Sequence, residues 1–235
     1  MTRRDIGAVL FDKDGTLFDF GATWNGWAEK LVLQLGEGDR ARAADLGRLI
    51  GYDLEASRFS PDSFVIAGTP DDLVDVLSPE LPGLTRSDLL ARINVEAAAA
   101  PLVEAVPLVP LLDLFHAQGM RLGVVTNDAE APALAHLEAA QVRDRFDFIA
   151  GSDSGYGAKP AAGPLLAFSE AVGVPRERII MVGDSTHDLV AGRAAGMWTV
   201  AVLTGLAGPE DLSPHADVVL PDIGHLPQWL GFGAG

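Results

Sequence analysis

A short apolar run, Ile6-Gly7-Ala8-Val9-Leu10-Phe11, stops abruptly at Asp12-Lys13-Asp14-Gly15-Thr16. A run of this length, rich in branched side chains and ended by acids and a glycine, predicts a buried parallel strand that opens into a loop at its carboxyl end. That strongly restricts the fold, because parallel strands need helices across both faces of their sheet. In open sheets of this kind ligands collect beyond the carboxyl ends of the strands, so two carboxylates placed there are positioned for chemistry. Asp12 and Asp14 are two residues apart and can leave the chain on the same side. Gly15 lets the backbone turn closely enough for its amides to approach an anion.

The carboxyl-terminal half continues the pattern. Helical stretches at 108–118, 131–140, 163–172 and 189–195 alternate with strand-like stretches at 121–126, 146–150, 178–183, 198–203 and 216–220, and a last turn or helix follows around 226–230. Helix and strand in repetition, with short connections, predict right-handed crossovers in one sheet. The stretch between the first strand and residue 107 differs. Trp24, Trp27, Leu31 and Leu35 recur at helical steps, residues 40–50 and 85–100 are helical, and Thr69-Pro70-Asp71-Asp72 has the composition of a helix start. Residues 51–69 lack periodicity and are expected to form a loop. The expected fold is therefore α/β, a Rossmann-like parallel sheet with helices on both faces. Its core spans residues 1–20 and 101–235, interrupted by a helical cap domain at 21–100.

Composition narrows the chemistry. The chain has no cysteine, so disulfides, thiol nucleophiles and thiolate metal sites are excluded together. Its five histidines show no metal-ligand spacing, which argues against a zinc hydrolase. A net charge of −16 repels nucleic acid and anionic lipid surfaces, so neither is an expected partner. No apolar span reaches membrane length, and Met1–Asp5, with Arg3 and Arg4, lacks the apolar segment of a secretion signal; a cytoplasmic protein, monomer or homodimer, is expected. An anionic substrate would need local positive charge, and the only lysines are Lys13, Lys30 and Lys159.

In a parallel sheet all the strand ends lie on one edge. That edge gathers Asp12 and Asp14, then Thr126 and Asn127, then Lys159, then Asp184 and Asp188. A carboxylate is a competent nucleophile for phosphorus, and a neighbouring acid can protonate the departing alkoxide and later take a proton from water. Magnesium wants oxygen ligands, which Asp12, Asp184 and the carbonyl of Asp14 offer. The Thr126 hydroxyl, backbone amides near Asn127 and the Lys159 ammonium suit the equatorial phosphoryl oxygens.

These residues, as Asp12-Lys13-Asp14-Gly15-Thr16, Thr126-Asn127, Lys159-Pro160 and Gly183-Asp184-Ser185-Thr186-His187-Asp188, resemble in order the four motifs of the haloacid dehalogenase-like hydrolases. The resemblance covers the whole chain and is nearest the phosphoglycolate-phosphatase-like branch, which carries an α-helical cap. It implies a magnesium-dependent phosphatase acting on a small phosphomonoester, phosphoglycolate-like or a sugar phosphate, through an aspartyl phosphate. It further implies that Asp12 is the nucleophile, Asp14 the general acid/base, Thr126 and Lys159 the phosphate binders, and Asp184 a metal ligand supported by Asp188. A phosphosugar mutase of the same fold and a non-enzymatic binding module are the alternatives. Lys13 departs from the apolar residue usual at its position, and a cation between two catalytic acids could perturb both. His187 is expected to be exposed at a helix start. Specificity is expected from the loop 52–60, where Arg58 carries a planar fork suited to a carboxylate or a second phosphate.

Overall fold

The computed structural model describes residues 5–232; Arg3 and Arg4 lie outside them. The opening strand β1 is Ala8–Phe11, and all four of its residues are buried. Its alternate side chains enter two different cores, Val9 and Phe11 one, Ala8 and Leu10 the other, which is why the run shows no polar alternation. Asp19 then caps helix α1 (Phe20–Leu35), accepting a hydrogen bond from the Ala22 amide at 2.7 Å. α2 (Arg40–Leu49), α3 (Pro70–Leu77) and α4 (Arg86–Ala98) follow. The predicted start of α3 is a capping box: the Thr69 hydroxyl accepts from the Asp72 amide, and the Asp72 carboxylate accepts from the Thr69 amide.

Among the described residues the helical insert has an apolar cluster of its own, in which Trp27 and Leu31 of α1 pack with Leu46, Leu77, Leu89 and Ile93. The stretch 51–69, expected as a loop, contains a small hairpin, β2 (Tyr52–Asp53) against β3 (Arg58–Phe59). Strands of two residues are too short to show alternation. Their turn is set by the Asp53 carboxylate, which accepts from the Glu55 and Ala56 amides.

The alternating half gives α5 (Leu108–Ala117), β4 (Arg121–Val125), α6 (Glu130–Ala139), β5 (Phe148–Ala150), α7 (Gly163–Val172), β6 (Ile179–Gly183), α8 (Thr186–Ala195), β7 (Trp198–Val202), α9 (Pro209–Leu212), β8 (Val218–Leu220) and α10 (Leu226–Leu230). The six strands of the main sheet are parallel, in the order β5-β4-β1-β6-β7-β8. Thus β1 lies between β4 and β6, with Phe11 opposite both Val124 and Val182. The strand order reverses beside β1, and the register brings the ends of three strands level at that crevice.

Candidate active site

The strand ends converge as their positions predict. One carboxylate oxygen from each of Asp12, Asp184 and Asp188 can lie within 4.8 Å of the others, and all three residues are buried. The Lys159 ammonium bridges two of them, at 2.6 Å from Asp12 Oδ1 and 2.7 Å from Asp188 Oδ1. Asp188 serves two purposes: its Oδ2 accepts from the Ser185 amide and hydroxyl, capping α8, while Oδ1 faces the lysine. Asn127 holds the Lys159 backbone from both sides, donating to the Lys159 carbonyl and accepting from its amide. The Asn127 side chain also donates to the carbonyl of Ala67 in the insert, at 2.7 Å. Its amide therefore works as a brace between sheet and insert. Thr126 is buried beside it, its hydroxyl accepting from the Asp128 amide.

Burial pushes the Asp12 carboxyl up to about 7 despite its lysine partner. Asp184 is raised well above the carboxylate range by burial first and then by the charges of Asp12 and Asp188. Burial works against the Lys159 ammonium, yet Asp12 and Asp188 outweigh it and hold the lysine above its ordinary value.

Asp184 makes no salt bridge among the described residues; its carboxylate accepts from the Thr16 hydroxyl at 3.3 Å. Room for it is made by backbone. A Cβ at Gly15 would fall 2.3 Å from Asp184 Oδ2, and one at Gly205 would fall 1.7 Å from the same atom. Gly15 also sits at φ +80°, where other residues are strained. Three mutually repelling carboxylates around one buried point, one of them without a cation, make a donor set that fits a hard divalent ion. Asp12, Asp184 and Asp188 could hold a metal ion here, with Asp14 nearby.

A second buried cluster stands beside the first. Lys13 is fully buried, its ammonium 2.8 Å from Asp14, 3.2 Å from Asp128 and 2.9 Å from His136 Nδ1, and 5.2 Å from the ring centre of Trp24. An ammonium only donates and a carbonyl only accepts. His136 therefore accepts at Nδ1 and donates from Nε2 to the Ala97 carbonyl of α4, at 2.8 Å. That is the neutral ring, in keeping with burial and Lys13, which push His136 down to about 4. Burial raises Asp128 to about 6, against the pull of Lys13. Two lysines thus divide four acids, Lys159 with Asp12 and Asp188, Lys13 with Asp14 and Asp128. Removing one partner of a buried ion pair strands the other, so Lys13→Met should lower stability by about 3–5 kcal/mol. Denaturant unfolding measures this, and a loss below about 1 kcal/mol would contradict the contacts described.

The sheet edge and the insert enclose a cavity of about 620 Å³, open mouth included, lined by Asp12, Asp14, Thr126, Asn127, Lys159 and Asp188 on one side. His187, expected on the surface, is half-buried and lines it too. Arg58 is the predicted site residue that is not brought in. It is exposed on β3, opposite Asp53, and does not line the cavity. Asp128, His136 and Gly205 have no signal in sequence beyond an isolated residue, and the helical period that includes Trp24 marks a core face rather than a site.

A family model described as haloacid dehalogenase-like hydrolase matches residues 6–196. The chain is 33% identical over 233 residues to a phosphoglycolate phosphatase of Rhodospirillum rubrum, covering 96% of this chain and 91% of that one. It is 31% identical to a phosphoglycolate phosphatase of Nitrosospira multiformis, covering 93% and 92%. Among solved structures, CbbY from Rhodobacter sphaeroides in complex with phosphate superposes with a TM-score of 0.71 at 19% identity, covering 94% of this chain and 96% of that one. A phosphatase from Thermococcus onnurineus gives 0.67 at 24%, covering 96% and 98%. These last two likenesses concern the fold.

Proposed function

The chain belongs to the haloacid dehalogenase-like hydrolases and is a phosphoric monoester hydrolase, and we propose that it cleaves a small phosphomonoester in two steps, through an aspartyl phosphate on Asp12, with magnesium as cofactor. The observation that carries this reading is the convergence of Asp12, Asp184 and Asp188 on one buried point beneath a cavity, with Lys159 spanning two of them.

Bound among these carboxylates, magnesium would supply positive charge to a phosphoryl oxygen. The chain's own residues do the rest. An Asp12 oxygen bonds to phosphorus as the bond from phosphorus to the alcohol oxygen breaks, and Asp14 gives that oxygen its proton. Asp14 then takes a proton from water as the water oxygen bonds to phosphorus. The bond to Asp12 breaks, and phosphate leaves. Lys159 and the Thr126 hydroxyl face the equatorial oxygens, where charge shifts in both steps. The helical insert, residues 21–100 in this proposal, acts as the cap, and the Asn127 contact to Ala67 and the His136 contact to Ala97 seat it on the sheet.

Asp14 tests the proton assignment. Asp14→Asn should slow alkyl phosphates by about 100-fold or more, and p-nitrophenyl phosphate much less, because its leaving group needs little protonation. Steady-state rates on both classes decide it. Equal losses would remove Asp14 from proton transfer.

A further inference from the structure

The strand-end residues treat only the phosphoryl end of a substrate. What distinguishes one ester from another is the wall that meets the alcohol, and here the insert supplies it. That wall is apolar and aromatic: Phe20, Trp24 and Trp27 of α1, Val65 ahead of α3, Leu73 of α3 and Ile93 of α4. Among the described residues, no charged side chain of the insert lines the cavity. The polar groups that the insert contributes include several already engaged. The Ala67 carbonyl accepts from Asn127, the Ala97 carbonyl accepts from His136, and the Thr69 hydroxyl donates to Asp72.

Charge on the sheet side points the same way. Asp12, Asp14, Asp128 and Asp188 line the cavity against Lys159, which is already committed to two of them. The other basic lining residue, His187, stands in the first turn of α8 between Asp184 and Asp188, on the phosphoryl side. A carboxylate or second phosphate on the alcohol would be pressed against apolar rings with no cation to meet it, and a polyol would leave several hydroxyls unpaired there.

We infer that the preferred substrate is the phosphate monoester of an uncharged, mainly apolar alcohol, aromatic or branched. The inference rests on the phosphatase reading and narrows its substrate class away from phosphoglycolate, the substrate for which the R. rubrum and N. multiformis relatives are named.

The test compares kcat/KM of the full-length protein, in magnesium, for benzyl phosphate, glycerol phosphate and phosphoglycolate, with p-nitrophenyl phosphate reporting hydrolysis as such. All three alcohols are poor leaving groups, so the ratios report the wall rather than the chemistry. Benzyl phosphate should exceed both others by about tenfold or more, equivalent to roughly 1.4 kcal/mol. Val65→Arg, at a half-buried wall position, should cut that preference and raise phosphoglycolate, whereas Arg58→Ala, outside the cavity, should leave every ratio unchanged. A wild-type preference for phosphoglycolate or glycerol phosphate, with p-nitrophenyl phosphate still hydrolysed, overturns the inference and leaves the phosphatase reading standing. A loss of phosphoglycolate turnover in Arg58→Ala does the same. If no ester is hydrolysed at all, the phosphatase reading fails and takes the inference with it.

Discussion

Asp12→Asn should give a folded protein whose phosphatase turnover is lower by roughly four orders of magnitude or more, the scale on which a lost nucleophile is felt. An amide has nearly the shape of a carboxylate but is a poor nucleophile, and the residue is fixed at the end of β1 by a 2.8 Å hydrogen bond from its own amide to the Val182 carbonyl. The fold should tolerate the change. Asp12 stands among like charges, with Asp184 and Asp188 close by and burial opposing its ionisation, so a neutral side chain relieves repulsion while Lys159 keeps Asp188. Thermal unfolding should therefore show an unchanged or slightly raised Tm. A folded Asp12→Asn protein with near-normal turnover would show that the residue is not the nucleophile.

The second large effect is expected from the metal. Exhaustive chelation should remove activity, and magnesium should restore it. Asp184→Ala should lower kcat/KM at ordinary magnesium by about 100-fold or more, since Asp184 is the acid of the trio with no salt bridge among the described residues. Binding can be read without turnover. Magnesium that binds the native state raises Tm with concentration, and that rise should be lost in Asp184→Ala. A Tm that ignores magnesium in the wild type, or full activity after chelation, would contradict the assignment.

What sequence could reveal here was set by how locally each feature is encoded. A strand end and its loop are contiguous, so Asp12, Thr126, Lys159 and Asp184 are each visible beside an apolar run, and parallel topology alone brings them to one edge. The second cluster has no such encoding. Lys13 and His136 are 123 positions apart, and nothing in the surroundings of His136 or Asp128 says that a buried ammonium lies against them. Lys13 stands out in sequence as one of three lysines and as a cation between two acids where the family usually has an apolar residue, but its partners do not. Gly205 is equally silent, being a loop glycine whose need appears only when Asp184 is seen against its Cα. Arg58 is the opposite case, prominent in sequence and outside the cavity in the structure. Its planar fork in the loop 52–60 suits an anion, but the Asp53 turn folds its strand into a surface hairpin. Trp24 and Trp27 followed a helical period that marks a core face, and they do pack in the insert's core. That the same rings also line the cavity is a matter of where α1 meets the sheet, which no periodicity records.

The central claim is a covalent intermediate on Asp12, and the stereochemistry at phosphorus tests it most directly. The measurement is hydrolysis, in isotopically labelled water, of a phosphate ester made chiral by oxygen isotopes, followed by configurational analysis of the phosphate released. Each in-line displacement inverts phosphorus, so transfer first to Asp12 and then to water predicts net retention. Net inversion would mean that water attacks the ester directly, with Asp12 as base or ligand and no aspartyl phosphate on the path.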